Sequence, residues 1–230
     1  GQTMALVGES GSGKSVTALS ILGLLPYPQA YHPKGSIIFK GQELLNQPED
    51  KLRSIRGRKI AMIFQEPMTS LNPLHTIERQ IGEPLKVHFG FTANQVRQRV
   101  IELLDLVGFP EGSERLNAYP HQLSGGQRQR VMIAMALACE PEILIADEPT
   151  TALDVTIQQG IVRLIQNLQK RFDMGLLLIS HDLGMVAKIA DQVAVMKSGK
   201  IVEYGSARQV LGWPQHSYTQ HLIAAEPHGE

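Results

Sequence analysis

Apolar residues along this chain follow two rhythms: short unbroken runs bounded by glycine, and longer stretches in which they recur every three or four positions. Met4-Ala5-Leu6-Val7, stopped by Gly8, reads as a buried strand. Residues 15–25 read as a helix ended by Pro26 and Pro28. Residues 36–39, between Gly35 and Gly41, predict a strand at a hairpin, and residues 60–64 a third apolar strand. From Gln65 to about Gln122 strand-like runs disappear. Helical spacing shows there at Val96, Val100, Leu103, Leu104 and Val107, closed by Gly108 and Pro110. Next come a helix over residues 127–139, a strand over 143–146, and a helix with Ile157, Ile161, Leu164, Ile165 and Leu168 on one face. Strands over 176–179 and 193–196 follow, then a hairpin turned at Gly199 into residues 200–203. A short helix around residues 218–225 precedes the polar end Glu226-Pro227-His228-Gly229-Glu230. Strands alternating with helices predict an α/β fold with a mostly parallel sheet covered on both faces, interrupted by a helical insertion.

Composition narrows the function. Lys plus Arg is 22 and Asp plus Glu is 22, a formal charge of +0 that argues against a domain built to neutralise nucleic-acid phosphates. Hydrophobic residues at 43% and charged residues at 19% exclude a disordered segment. The single cysteine, Cys139, rules out an internal disulfide or a multi-thiolate metal site and fits a reducing compartment. No apolar run reaches the roughly 18–20 residues that cross a bilayer. Gly1-Gln2-Thr3 lacks the features of a signal peptide and leads straight into a strand, so the chain is expected to be cut from a longer protein.

Gly8-Glu9-Ser10-Gly11-Ser12-Gly13-Lys14-Ser15 fits G-x-x-x-x-G-K-[ST] at every position, between a predicted strand and a predicted helix. Glycines let the backbone wrap around phosphate oxygens with N–H groups pointing inward, and the helix start adds partial positive charge. Lys14 would reach the β- and γ-phosphates, and Ser15 would ligate Mg²⁺. Residues 142–146 form an apolar run ending in Asp147-Glu148, two carboxylates at a strand end. Beside such a loop, Asp147 is the expected Mg²⁺ ligand and Glu148 the base that polarises the attacking water. Ser124-Gly125-Gly126-Gln127 opens a helix, and two readings stand side by side. Ser124 is an ordinary N-cap, or hydroxyl, glycine amides and helix start together form a second anion site.

Ser124-Gly125-Gly126-Gln127 between a phosphate loop and a strand-end Asp-Glu resembles the signature motif of ATP-binding-cassette (ABC) proteins. The resemblance spans nearly the whole chain and implies the ABC ATPase fold: a P-loop NTPase, RecA-like sheet with an antiparallel β subdomain and a helical subdomain. It would place the catalytic core at residues 1–64 and 123–230 and the helical subdomain at 65–122. Gln65 matches the Q-loop glutamine, implying contact with Mg²⁺ or the lytic water and with a membrane partner. Ala152-Leu153-Asp154 matches the D-loop, with Asp154 facing an opposing site. His181, in Ile179-Ser180-His181-Asp182, matches the switch histidine, able to donate a hydrogen bond to the γ-phosphate.

Within the family, residues 64–75, Tyr119-Pro120-His121-Gln122 and His216-Ser217-Tyr218-Thr219-Gln220 resemble importers of oligopeptides, dipeptides and nickel. Residues 64–75 and Val16-Thr17-Ala18-Leu19-Ser20 look closest to the N-terminal half of a fused double ATPase of the microcin C and peptide importer type. The resemblance implies ATP and Mg²⁺ as ligands. As partners it implies a second ATPase domain (a copy or a sister half) in a head-to-tail sandwich, two membrane permease subunits and, indirectly, a solute-binding protein. No nucleic acid is expected, and the location implied is the cytoplasmic face of the bacterial inner membrane. A soluble, non-transport ABC ATPase acting on nucleic acid or ribosomes is the alternative. Met68, Leu71 and Leu74 are either a docking surface or ordinary core, and Arg128 and Arg130 either steer ATP or form a solvated face. The family stacks adenine on an aromatic residue upstream of the phosphate loop. Tyr27 and Tyr31 are poor substitutes, so weakened nucleotide binding is expected.

Overall fold

The computed structural model describes residues 1–151 and 153–225, which form two compact units. One comprises residues 2–53 and 176–225; the other comprises Gly1 and residues 54–175.

In the unit built from the two ends of the chain, β1 (Thr3–Val7) leads into α1 (Lys14–Ile21). The helix stops four residues short of the sequence expectation because Gly23 takes φ 60. Gly23 N–H then donates to Ser20 O and Leu24 N–H to Leu19 O, the paired bonds of a Schellman cap. The strand expected over residues 36–39 shrinks to β2 (Ile38–Phe39), paired antiparallel with β3 (Gln42–Glu43) across Lys40 and Gly41, both at positive φ. A helix that the periodicity did not reveal, α2 (Glu49–Ile55), follows and crosses the boundary between the units.

In the central unit, β4 (Ile60–Ile63) is followed by the single turn α3 (Pro67–Ser70) and then α4 (Ile77–Phe89), α5 (Ala93–Leu106) and α6 (Gly125–Leu137). α5 starts at a capping box made by Thr92 and Gln95 and buries Val96, Val100, Leu103 and Leu104, the face its spacing predicted. α4 escaped prediction because Gly82 and Pro84 break its pattern, yet it packs on both α5 and α6. The C-terminal half of α6 is buried nearly all round, with Val131, Ile133, Ala134 and Leu137 at 0% exposure, as expected of its apolar run from Val131 to Leu137. β5 (Ile143–Asp147) pairs parallel to β4, and α7 (Val155–Phe172) buries Ile161, Ile165 and Leu168.

The chain then returns to the first unit. β6 (Gly175–Ile179) and β7 (Gln192–Lys197) flank β1, both parallel to it, while β8 (Lys200–Ser206) closes the edge antiparallel to β7. β1 is thus flanked by strands on both sides and buried from Ala5 to Val7, in keeping with its unbroken apolar run. Its start is locked reciprocally: Thr3 N–H donates to Asp191 Oδ2 at 2.8 Å, and Asp191 N–H to Thr3 O at 2.9 Å. α8 (Leu183–Ile189) and α9 (Ala207–Gly212) were too short for their spacing to register; α10 (Ser217–Ala224) lies where the tail helix was expected. The polar segment after Ala225 lies outside the described residues.

Candidate functional site

The phosphate loop leaves β1 at Gly8. A Cβ there would stand 2.2 Å from Met196 O and 2.9 Å from Ser12 Oγ, and the backbone sits at φ 153, so only glycine fits. Gly13, at φ 107, caps α1. Ser10 and Gly11 are exposed, Ser15 is half-buried, and Ser12 is buried with a hydroxyl that has no hydrogen-bond partner among the described residues. Lys14 is 5% exposed, and its Nζ donates to Gly8 O at 2.8 Å and Glu9 O at 2.9 Å. Burying a lysine is costly unless its charge is met, and two carbonyls of its own loop meet it here. A buried cation, an unpaired hydroxyl and a helix start form a donor set suited to a polyphosphate.

In the other unit, the parallel register sets Ile63 beside Ala146, which brings the residues two further along each strand, Gln65 and Glu148, to the same edge. Gln65 Nε2 donates to Glu148 Oε2 at 2.9 Å, and Thr151 Oγ1 donates to the same oxygen at 2.9 Å. Two donors on one oxygen fix the orientation of the carboxylate. Glu148 also holds φ 46, a left-handed conformation uncommon for a residue with a side chain and concentrated at functional positions. Asp147, one residue earlier, is 3% exposed. A buried carboxylate oxygen in the one unit and the Ser15 hydroxyl in the other are hard oxygen donors of the kind Mg²⁺ takes, so both residue types fit the ion.

Ser124 caps α6 by accepting from Gln127 N–H at 3.3 Å, while Gln127 Oε1 accepts from Ser124 N–H at 2.9 Å, a reciprocal box. The ordinary reading of Ser124 is therefore realised. Ser124 and Gly125 nonetheless stay exposed, whereas Gly126 is buried where a Cβ would come 3.1 Å from Ile157 Cγ2. Both readings proposed for the two arginines need correction. Arg128 donates to Pro120 O at 3.0 Å and Leu123 O at 2.6 Å, and Arg130 donates to Val107 O. They tie the α6 start to the preceding loops, so neither is a free steering charge nor merely a solvated face.

Asp154 is the exposed N-cap residue of α7, and Ala152 lies outside the described residues. His181 is exposed between β6 and α8, where Asp182 caps the helix by accepting from Met185 N–H at 2.7 Å. Of the suggested docking trio, Leu71 is core at 2% exposure and Leu74 stands free at 81%, while the Met68 side chain lies outside the described atoms. The sequence does not reveal three of the contacts. Thr151 carries no motif that marks it, and Arg128 is marked only by its charge on α6. Tyr218 was noted only as part of a tail pattern, yet its hydroxyl accepts from Glu9 N–H in the phosphate loop.

A phosphate loop opening off a central parallel strand, a Gln–Glu pair at adjacent strand ends and a glycine-opened helix with a serine cap define a nucleotide-binding α/β cassette. The chain belongs to the ABC transporter family, which it matches over residues 1–151. It is 64% identical over its full length to the peptidoglycan transport ATP-binding protein YejF of Agrobacterium fabrum, of which it spans 42%. It is 52% identical to the dipeptide transport ATP-binding protein DppD of Bacillus subtilis, with 99% of this chain and 68% of that protein aligned. Among solved structures, a dimeric post-hydrolysis state of the ATP-binding cassette MJ0796 bound to ADP and Pi superposes with a TM-score of 0.78. That match is 30% identical and covers 90% of this chain and 86% of that one. The chain therefore spans less than half the length of its YejF relative.

Proposed function

We propose that this chain is an ATP-binding and hydrolysing cassette that powers an importer of peptides or peptide-like solutes, working as one half of a head-to-tail pair. The observation that carries the proposal is the Gln65–Glu148 hydrogen bond at a strain-held carboxylate, because it supplies a preset base where a phosphate-binding cassette needs one. The names of the peptide and dipeptide transport relatives support the cargo class, and the dimeric cassette supports the pairing.

The work divides among the residues as follows. Lys14 and the amides of residues 8–15 grip the β- and γ-phosphates. Ser15, Asp147 and Gln65 are the residues that would hold Mg²⁺, which would supply charge neutralisation for the transferring phosphoryl group. Glu148 takes the proton of the attacking water, while Gln65 and Thr151 hold its carboxylate through Oε2. His181 donates to the γ-phosphate. Ser124, Gly125, Gly126 and Gln127 of one cassette close over the nucleotide seated on the phosphate loop of the other, with Asp154 across the seam. The γ-phosphate is then the group both halves hold, and its loss removes the differential contact that favours the closed pair. Residues 65–122 act as the helical subdomain that passes this motion to two permease subunits at the cytoplasmic face of the membrane. Residues 1–64 and 123–230 act as the catalytic core.

Glu148→Gln tests the reading. It is expected to retain Mg-ATP binding, lower phosphate release by about two decades or more, and accumulate an ATP-bound pair visible by sedimentation. Wild-type turnover in that variant would reassign the base.

A further inference from the structure

The C-terminal third of the chain reaches back to the phosphate loop at one peptide group. The Gly8–Glu9 unit presents its carbonyl to Lys14 Nζ at 2.8 Å, and its N–H, on the opposite side of a trans plane, donates to Tyr218 Oη at 3.0 Å. Tyr218 is 5% exposed, so this bond is shielded from water at the tyrosine end. Its ring carries Lys197 Nζ at 4.7 Å from the centroid, and the helix bearing it is seated by Glu203, whose carboxylate accepts from Gln215 N–H at 2.8 Å and His216 N–H at 3.0 Å. The β7–β8 turn adds a second prop, since Gly199 N–H donates to Ser12 O at 2.8 Å.

We propose that Tyr218 is a positioning residue for nucleotide binding: by holding the N–H of the Gly8–Glu9 peptide it fixes the tilt of that plane, and through the carbonyl on the other side it sets where the Lys14 ammonium rests. The physical basis is that a peptide plane has one orientation, so fixing its donor end fixes its acceptor end. Hydrogen bonds in series through one amide also strengthen each other. Without the hydroxyl, the plane loses the tether at its N–H end and one of the two carbonyl seats of Lys14 loses its fixed direction, so more of the ordering of the ammonium falls at the moment the triphosphate binds. That cost falls on binding, because Tyr218 acts on the phosphate loop, whereas the Gln65–Glu148 pair belongs to the other unit. The proposal rests on the reading of residues 8–15 as the ATP phosphate site.

The test is Tyr218→Phe, which keeps the ring and the seat of Lys197, compared with wild type, Lys14→Ala and the double variant. Tyr218→Phe is expected to raise Kd and KM for Mg-ATP about tenfold while kcat at saturation stays within about threefold of wild type. In the Lys14→Ala background the same change is expected to have little further effect on Kd, since the two act along one path. A lowered kcat at unchanged KM, the signature of a smaller folded fraction, would overturn the proposal, as would additive losses in the double variant. If Lys14→Ala leaves Kd unchanged, the phosphate-site reading itself fails; if Lys14→Ala weakens binding and Tyr218→Phe does not, only the role of Tyr218 falls. A measurement on the wild-type protein stands even if the variant misfolds. The Glu9 amide is expected to resist hydrogen exchange before any nucleotide is added, and exchange at the unprotected rate would refute the Tyr218 bond.

Discussion

Glu43 shows how much one carboxylate can organise. Its Oε1 accepts from the amides of Ile37, Leu44 and Leu45 at 2.9–3.0 Å, and the Ser36 hydroxyl donates to its other oxygen. The Ser36 bond first, then those amides, lower its pKa to about 2. A depressed carboxylate stabilises the folded chain above the ordinary value of 4.5 and loses that contribution as pH falls through about 2. Glu43→Gln is therefore expected to lower the melting temperature at pH 7, with the gap from wild type closing between pH 4.5 and about 2, read by thermal melts across that range. Cys139 moves the other way. Burial pushes its thiol up to about 11, against the opposing pull of Arg58 and Arg99. It is expected to resist alkylation at neutral pH until the chain is unfolded, as thiol titration with and without denaturant would read out. Lys14 is the residue on which the nucleotide proposal turns. Its truncation to Ala is expected to weaken Mg-ATP binding by about tenfold or more in equilibrium titration, because a buried charge-assisted contact is lost.

Between elements, the α4–α5 seam makes a sharper demand than helix propensity. Gly82 in mid-helix ordinarily invites replacement by Ala for a gain of about 0.5–1 kcal/mol. Here a Cβ would stand 2.3 Å from Val96 Cγ1, and Val96 is 3% exposed. Gly82→Ala is therefore expected to destabilise by about 1–3 kcal/mol in urea denaturation, and Val96→Ala in the same chain to recover part of that loss. This seam also marks where sequence patterning stops being informative. α5 was legible from its apolar spacing closed by Gly108 and Pro110, while α4 was hidden by Gly82 and Pro84, residues that its packing requires or tolerates and its propensity does not. The strands at β1, β4 and β5 were legible because burial on both faces leaves unbroken apolar runs. Lys14 and Glu148 were singled out by the motifs that follow β1 and β5, and Gln65 by the family resemblance alone. The contacts of Thr151, Arg128 and Tyr218 were not legible, since their hydrogen-bond partners are fixed only by the folded chain.

For the whole molecule, the phosphate loop and the Ser124 motif belong to different compact units, and the proposed pairing asks each copy to complete the other's site. A mixing experiment exposes that arrangement. Lys14→Ala and Ser124→Arg chains, each inactive alone, are expected to regain phosphate release when combined. One composite site of the mixed pair carries both lesions and the other carries neither. Continued silence of the mixture, with both variants folded and able to associate, would argue against reciprocal sites between copies.

β1 has both of its partners far downstream: Leu6 lies beside Ile179 on one side and beside Ala194 on the other. On the ribosome, where about 5–20 residues are added each second, that strand waits roughly 10–40 s before its second neighbour has even been made. For that interval an apolar segment carrying the future phosphate loop has unmet backbone groups, a standing invitation to chaperones. The nascent chain is therefore expected to gain nucleotide-dependent protease resistance only after residue 197 clears the exit tunnel, well past the point at which every motif has been translated.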